Sequence, residues 1–495
     1  MKYKLIGAIA VAAALAAAVL VPALMPDESD RVHQHLVYQE KAACTREHAA
    51  EELCTHLPLV VIDTEGVEIP GKPLSRYTNE DGRVEMKYTM AADGDTRISA
   101  FMKIIDNEDG YNHADDVAAV ETDIRIRVRG RSSRSFAKSS YAIKLVNKDQ
   151  TNNNQRIMGM DAHHDWVLYG PYLDKTDLRN YMFYNISGEI MDYAPNVRYC
   201  EVILNGQYQG LYLMVETITA GDNGSRLEIE VNKKYQTYTG YVVRIDQNGD
   251  TEEHADSFTG YTYRREMDFE IVYPGDSKLT PELDRSIAQD FSDFEKALYS
   301  YDYDSDTAGY KKYIDVESFI DAFLISEITA NYDFGGLSTY VYKSIDNRLR
   351  VCMWDFNNSC DNFNQPVGWR SFELEGIVWY VMLMRDEDFT ERVIARYRSL
   401  REKWFSDAYI TEYIDETAAF LDDAIDRDRA RWADTYASGH GLLRDDSRNP
   451  QTYDEALDQL KRYLYRRLEW LDENIESLRQ YSAESKVKKF SEVAN

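Results

Sequence analysis

Asp333 and Asp355 are the residues of this chain whose type and spacing best fit chemistry. They lie 22 positions apart, at the two ends of the run EITANYDFGGLSTYVYKSIDNRLRVCMWDFN (327–357). Between them, Ser338–Tyr342 and Arg348–Met353 are rich in β-branched and aromatic residues, and the polar turn KSIDN separates them. That pattern predicts a β-hairpin. Asp333 precedes its first strand and Asp355 follows its second, so both fall at the open end. Two carboxylates converging there repel unless a cation or a shared proton relieves them. The reading is an acid/base or metal site, with turn-capping aspartates as the plain alternative.

A second stretch carries the opposite charge. TDIRIRVRG (122–130) alternates apolar and basic residues, which predicts a strand with one wet, positive face. The small-residue turn RSSRSFAKSS and a return strand, YAIKLVNK, come next. Arg125, Arg127, Arg129, Arg131, Arg134 and Lys138 fall within 14 residues, with Lys144 beyond, in a chain of net charge −29. A local inversion of sign points to an anionic ligand such as phosphate, or to an edge strand protected by charge.

The elements able to position these groups are strands first and helices later. Strands are predicted in 57–66, 83–90, 97–105, 122–130, 141–148, 165–170, 197–206, 208–218, 240–246 and 269–275, with Asn205-Gly206 as a hairpin turn. His163 and His164 are adjacent in a strand-like run and are expected on opposite faces, without a joint metal role. Asp174 is expected to cap a helix over 174–190 with an apolar stripe of Leu178, Tyr181, Met182 and Asn185. Helical periodicity covers 281–300, 315–330, 386–405, 409–433 and 453–479. The fold class is therefore α+β: a strand-rich first half, and a helical second half interrupted by the hairpin.

Composition narrows the function. The 495 residues suffice for two or three units, and 44% hydrophobic with 29% charged residues is globular. A charge of −29 argues against nucleic acid and anionic membrane surfaces as main partners. Lys2 and Lys4 precede the uncharged run Leu5–Met25, which predicts a signal peptide or a membrane anchor over 1–26 and a cell-surface or secreted location. Residues 27–56 read as a stalk, 57–120 as a small β layer and 481–495 as a polar tail. The five cysteines follow no zinc spacing. Cys44 with Cys54, and Cys352 with Cys360, can form disulfides in an exported chain, or all can be buried thiols. An anion site in one half and a carboxylate site in the other suits phosphoryl transfer.

The ordered blocks RGRSSRSFAKSSYAIKL (129–145), IMGM (157–160), DWVL (165–168), DKTDLRN (174–180), VILNGQYQGLYLMVE (202–216), ANYD (330–333), STYVYK (338–343) and MWDF (353–356) resemble the CotH family of spore-coat-type atypical protein kinases. The resemblance spans roughly residues 57–480. It implies a kinase-like two-lobed fold over about 121–480, β-rich to about 275 and helical from about 280. It also implies ATP, Mg or Mn, and an exported or surface protein as substrate. By position, Asp333 matches the catalytic aspartate and Asp355 the metal-binding one. Lys144, or Lys138, matches the phosphate-gripping lysine. Arg129, Arg131 and Ser133 belong to the same nucleotide-holding signature, and Glu216 lies near the base or pairs with a cation. Three positions depart from the pattern: Ser338 stands where a metal-binding Asn is usual, Asn357 where a second acid is common, and Arg131 where the signature often reads Asn. A catalytically inactive scaffold is therefore a second reading. A glycoside hydrolase using the two aspartates is a third, weakened by the basic stretch.

Overall fold

The computed structural model describes Cys44, Arg46 and residues 53–482, except 79–83, 108–109, 221–226, 228, 233–236, 247–253, 256–267, 346–347, 363–365, 375–376 and 435–447. The expected apolar span at Leu5–Met25 and most of the stalk and tail lie outside these residues. Among the described residues, no helix is long and apolar enough to cross a membrane.

Seven strands of the first half close into a barrel. They are β1 (Leu59–Asp63), β2 (Ile98–Ile105), β3 (Val120–Val128), β4 (Tyr141–Val146), β5 (Asp165–Tyr169), β6 (Val197–Leu204) and β7 (Gln207–Glu216). The order around the wall is β5-β7-β6-β1-β2-β3-β4, and β4 pairs back to β5. All pairs are antiparallel except β6 with β1. Period-two alternation sets the inside: on β3, Ile124, Ile126 and Val128 are buried while Arg125 and Arg127 are partly exposed. Trp166, Cys200, Tyr212 and Met214 join these β3 residues in the interior. Asn205 and Gly206 both have positive φ, 50° and 75°, as a tight β6–β7 hairpin requires. Because β1 and β2 share the barrel with β3 and β4, residues 57–120 are continuous with the strands after them.

The hairpin is present, as Thr339–Lys343 (β10) and Arg350–Cys352 (β11) with Tyr340 opposite Cys352. It does not stand alone. Tyr241–Asp246 (β8) pairs antiparallel with β10, and Asp268–Tyr273 (β9) pairs with β8 on the far side. The strands near 240–246 and 269–275 therefore extend the hairpin's sheet rather than the barrel. The outer faces of β6 and β7 (Val197, Tyr199, Leu211, Leu213) share one core with the helices.

The helices match the expected periodicity. Those longer than about one turn, among the described residues, are α1 (Arg179–Ile190), α2 (Pro281–Leu298), α3 (Val316–Thr329), α4 (Glu387–Glu402), α5 (Asp407–Leu421), α6 (Asp423–Arg431) and α7 (Tyr453–Asn474). Thr280, Asp315, Ser406 and Thr452 cap α2, α3, α5 and α7 with side-chain oxygens on backbone N–H groups. Asp422, at φ 37°, splits the run 409–433 into α5 and α6. α1 corrects the expectation: it starts at Arg179, and it is buried on all sides from Arg179 to Ser187 rather than along one stripe. Asp174 instead organises the turn before it, accepting from Thr176 N (3.1 Å), Arg179 N (2.8 Å) and the Arg179 guanidinium (2.5 Å).

Candidate active site

The hairpin's open end gathers the site. α3 ends at Ala330 in the left-handed region, φ 47°, which turns the chain away from the helix axis into Asn331–Asp333. The Asp333 carbonyl accepts from Leu337 N (2.8 Å), and Gly335 N donates to Thr339 Oγ1 (2.7 Å), which shapes the loop into β10. Gly335 has φ 82°, and a Cβ there would stand 2.2 Å from Ile377 Cγ2, so only glycine fits.

Asp355 sits in the left-handed region, φ 57°, just past β11. α1 holds its loop: Asp355 N donates to Tyr184 Oη (3.0 Å), Phe356 N to Asn180 Oδ1 (2.6 Å), and Arg179 Nε to the Ser359 carbonyl (2.9 Å). Asn331 Nδ2 donates to the Asp355 carbonyl (3.2 Å), and Asn358 Nδ2 to Asp333 Oδ2 (2.7 Å), so each aspartate loop is tied to the other.

A third carboxylate belongs to the group. Ile245 of β8 pairs with Thr339, which sets Asp246 beside Ser338 at the same open end. Burial, then the negative charges of Asp355 and Asp246, push the Asp333 carboxyl up to about 6, against the Asn358 hydrogen bond. Burial also raises Asp355, opposed mainly by the Arg129 guanidinium. Arg129 leaves the end of β3 and lies over the Trp354 ring at 5.5 Å.

The group fits a hard divalent cation. Mg²⁺ and Mn²⁺ take oxygen ligands, and this end of the hairpin carries carboxylates that raise one another's pKa, although the oxygens of Asp333, Asp355 and Asp246 do not all lie within 4.8 Å of one another. It also offers two buried amide oxygens, Asn331 Oδ1 and Asn357 Oδ1, which have no hydrogen-bond partner among the described residues. A buried acceptor left unpaired is costly, and a cation relieves it. Asp355, Asp246 and the Asn357 carbonyl are the residues that would hold the metal.

The other expected site residues are more scattered. Lys138 is buried and pairs with Asp428 of α6 at 2.6 Å, joining barrel to helices. Lys144 stands opposite Arg125 and Asp165, four residues down the barrel wall from Arg129, about 13 Å at strand rise. Arg131 is exposed at the start of the short 3-10 helix Ser132–Ser135, and Ser133 Oγ covers Gly130. Glu216 is buried and accepts from Asn196 N at 2.9 Å. Arg125 pairs with Asp95, and Arg134 donates to the Gly130 and Gly71 carbonyls. The basic run thus divides: Arg129 faces the carboxylates, while Arg125, Arg134 and Lys138 hold the fold.

One smaller expectation changes, and one open alternative is decided. His163 and His164 do not point apart; their rings stack at 4.3 Å, because a register irregularity precedes His163 and the strand ends there. All five cysteines are free thiols. Residues that sequence reasoning passes over are Asp246, Asn180, Asn331 and Asn358. The three asparagines lie in or beside the blocks DKTDLRN, ANYD and MWDF, whereas Asp246 is revealed only by long-range pairing.

Residues 126–471 match the family model described as CotH kinase protein. The chain belongs to the CotH family. No curated protein matches it. The family match begins inside β3 and ends in α7, so it takes in Arg129, Asp246, Asp333 and Asp355. CotH membership supports phosphotransfer as the class of chemistry, with ATP and a divalent metal as general requirements.

Proposed function

We propose that this CotH protein is a protein kinase that transfers the ATP γ-phosphoryl group to hydroxyl side chains of exported or surface proteins. The observation that carries the reading is the juxtaposition of Asp333, Asp355 and Asp246 with Arg129 and two orphaned amide oxygens. Asp333, in its ionised form, accepts the proton of the attacking hydroxyl. Its Asn358 hydrogen bond orients the carboxylate. Asp355 and Asp246 would hold the cation, with Asn357 in place of the second acid as a neutral oxygen donor. When bound, a divalent cation would supply charge neutralisation for the phosphates. Arg129, above Trp354, is the cation placed to meet a phosphate. In this reading the barrel forms one lobe and the helices with the hairpin sheet form the other. The Leu5–Met25 run supports a place at the cell surface, anchored or secreted.

Calorimetric titration with ATP tests the binding half of this reading. Binding is expected only with Mg²⁺ or Mn²⁺ present, and is expected to vanish in Asp355→Asn. Binding without metal, or unchanged in that variant, contradicts it. Arg129→Ala is expected to weaken ATP binding by roughly 10- to 100-fold, the ordinary worth of a charge-assisted hydrogen bond. The variant should still unfold in one cooperative step with a modest loss of stability, because Arg129 is half-buried rather than in the core but offsets the buried Asp355 charge. The glycosidase reading predicts no nucleotide binding in either case.

A further inference from the structure

A second group of chemically able side chains lies where the chain enters the barrel, and phosphoryl transfer uses none of it. The short strand Cys54–Thr55 pairs antiparallel with Asn112–His113, and the register sets Cys54 directly opposite His113. Cys44 arrives from upstream, and its Sγ lies 3.4 Å from His113 Nε2. Cys44 Sγ, Cys54 Sγ and a His113 ring nitrogen all lie within 4.8 Å of one another.

The carboxylate behind the imidazole points to a metal rather than to chance. Asp116 Oδ2 accepts from His113 Nδ1 at 3.1 Å and from His113 N at 2.9 Å. With its proton directed at that carboxylate, His113 presents the Nε2 lone pair to the two sulfurs. A carboxylate behind a histidine is the arrangement that fixes a ligating imidazole. Asp116 is itself held, by Asn107 Nδ2 (3.1 Å) and Arg46 Nη1 (3.1 Å). The spacing also agrees. Zinc bonds of about 2.3 Å to sulfur and about 2.0–2.1 Å to nitrogen, at a tetrahedral angle, set the two atoms about 3.6 Å apart.

We propose that Cys44, Cys54 and His113 hold a zinc ion that clamps the incoming chain to the barrel. On binding, each thiol releases its proton to solvent and coordinates as thiolate, His113 coordinates through Nε2, and water fills the fourth position. Two thiolates and an imidazole select zinc over the Mg²⁺ or Mn²⁺ suited to the oxygen donors of the aspartate centre. A Cys44–Cys54 disulfide is the competing chemistry, and it leaves the Asp116-backed imidazole without a role.

Cobalt titration of the reduced full chain separates the two. Expected is one equivalent of Co²⁺ with a thiolate-to-cobalt charge-transfer band and tetrahedral ligand-field bands, displaced by Zn²⁺. The band should disappear in Cys44→Ser and Cys54→Ser, and persist in Asp355→Asn. Asp116→Asn, which keeps all three ligands, should weaken binding by roughly 10- to 100-fold. Absence of the charge-transfer band in the wild type overturns the proposal. So does its survival in both serine variants, or a Cys44–Cys54 disulfide found by mass spectrometry in protein isolated without added oxidant.

Discussion

Arg467→Ala is expected to destabilise the protein by about 3–5 kcal/mol, the cost typical of leaving one member of a buried ion pair uncompensated. Arg467 of α7 is fully buried. Its guanidinium meets the Glu327 carboxylate and donates to the Glu327 carbonyl (3.0 Å from both Nε and Nη2) and to the Ser371 carbonyl. Glu327 in turn accepts from Glu373 N and Leu374 N, both at 2.9 Å. Removing the arginine leaves the Glu327 carboxylate, at the last turn of α3 just upstream of the Asp333 loop, without its cation, and takes a donor from the Glu327 and Ser371 carbonyls. Guanidinium unfolding measures the loss, and a change under about 1 kcal/mol would show that the hub is dispensable. Arg467→Lys should recover little, because an ammonium cannot span the same fork of acceptors. Activity should fall with stability, since α3 delivers the Asp333 loop.

Asp333→Asn is expected to lower kcat by on the order of 10²–10⁴, the usual worth of a positioned general base. The same change should stabilise the metal-free protein. The Asp333 carboxyl is held at about 6 in the fold against an ordinary 3.8, so folding favours its protonated form. That contribution is fully present below pH about 4 and is lost as pH rises through about 6. At pH 7.5 the ionised group therefore opposes folding by up to about 3 kcal/mol, and the amide removes the opposition. Unfolding curves without metal should show the Asp333→Asn protein ahead of wild type at pH 7.5 and level with it at pH 4. A variant less stable than wild type at pH 7.5 would mean that Asp333 is a structural cap. A substrate-saturated pH–rate profile should rise through an acidic limb that the Asp333→Asn variant lacks.

Local pattern carries much of this structure into view. The alternation IRIRV is an amphipathic barrel strand, Asn-Gly is a hairpin turn, and the periodic runs after Thr280 are helices, because each depends on neighbours a few residues away. The hairpin with its two aspartates is legible for the same reason. The features that stay hidden depend on distant partners. Closure of seven strands needs β1 beside β6, far along the chain. Asp246 joins Asp333 only because β8 pairs with β10, a register that no local signal announces. The basic run reads as one anion site, yet its members part ways according to which neighbour each meets: Asp95 for Arg125, Asp428 for Lys138, and Trp354 with Asp355 for Arg129. The start of α1 escapes the pattern because Asp174 satisfies N–H groups from a turn, a role that looks identical to a helix cap in sequence.

In the proposed function, Asp333 and Asp355 serve phosphoryl transfer. The most direct measurement incubates the chain with γ-labelled ATP and Mg²⁺ or Mn²⁺ and tracks label on the protein itself and on acidic and basic protein substrates. Label that requires metal and disappears in both Asp333→Asn and Asp355→Asn is the predicted result. No label with any substrate, or label that persists in both variants, would contradict it and leave a CotH fold serving as a surface scaffold.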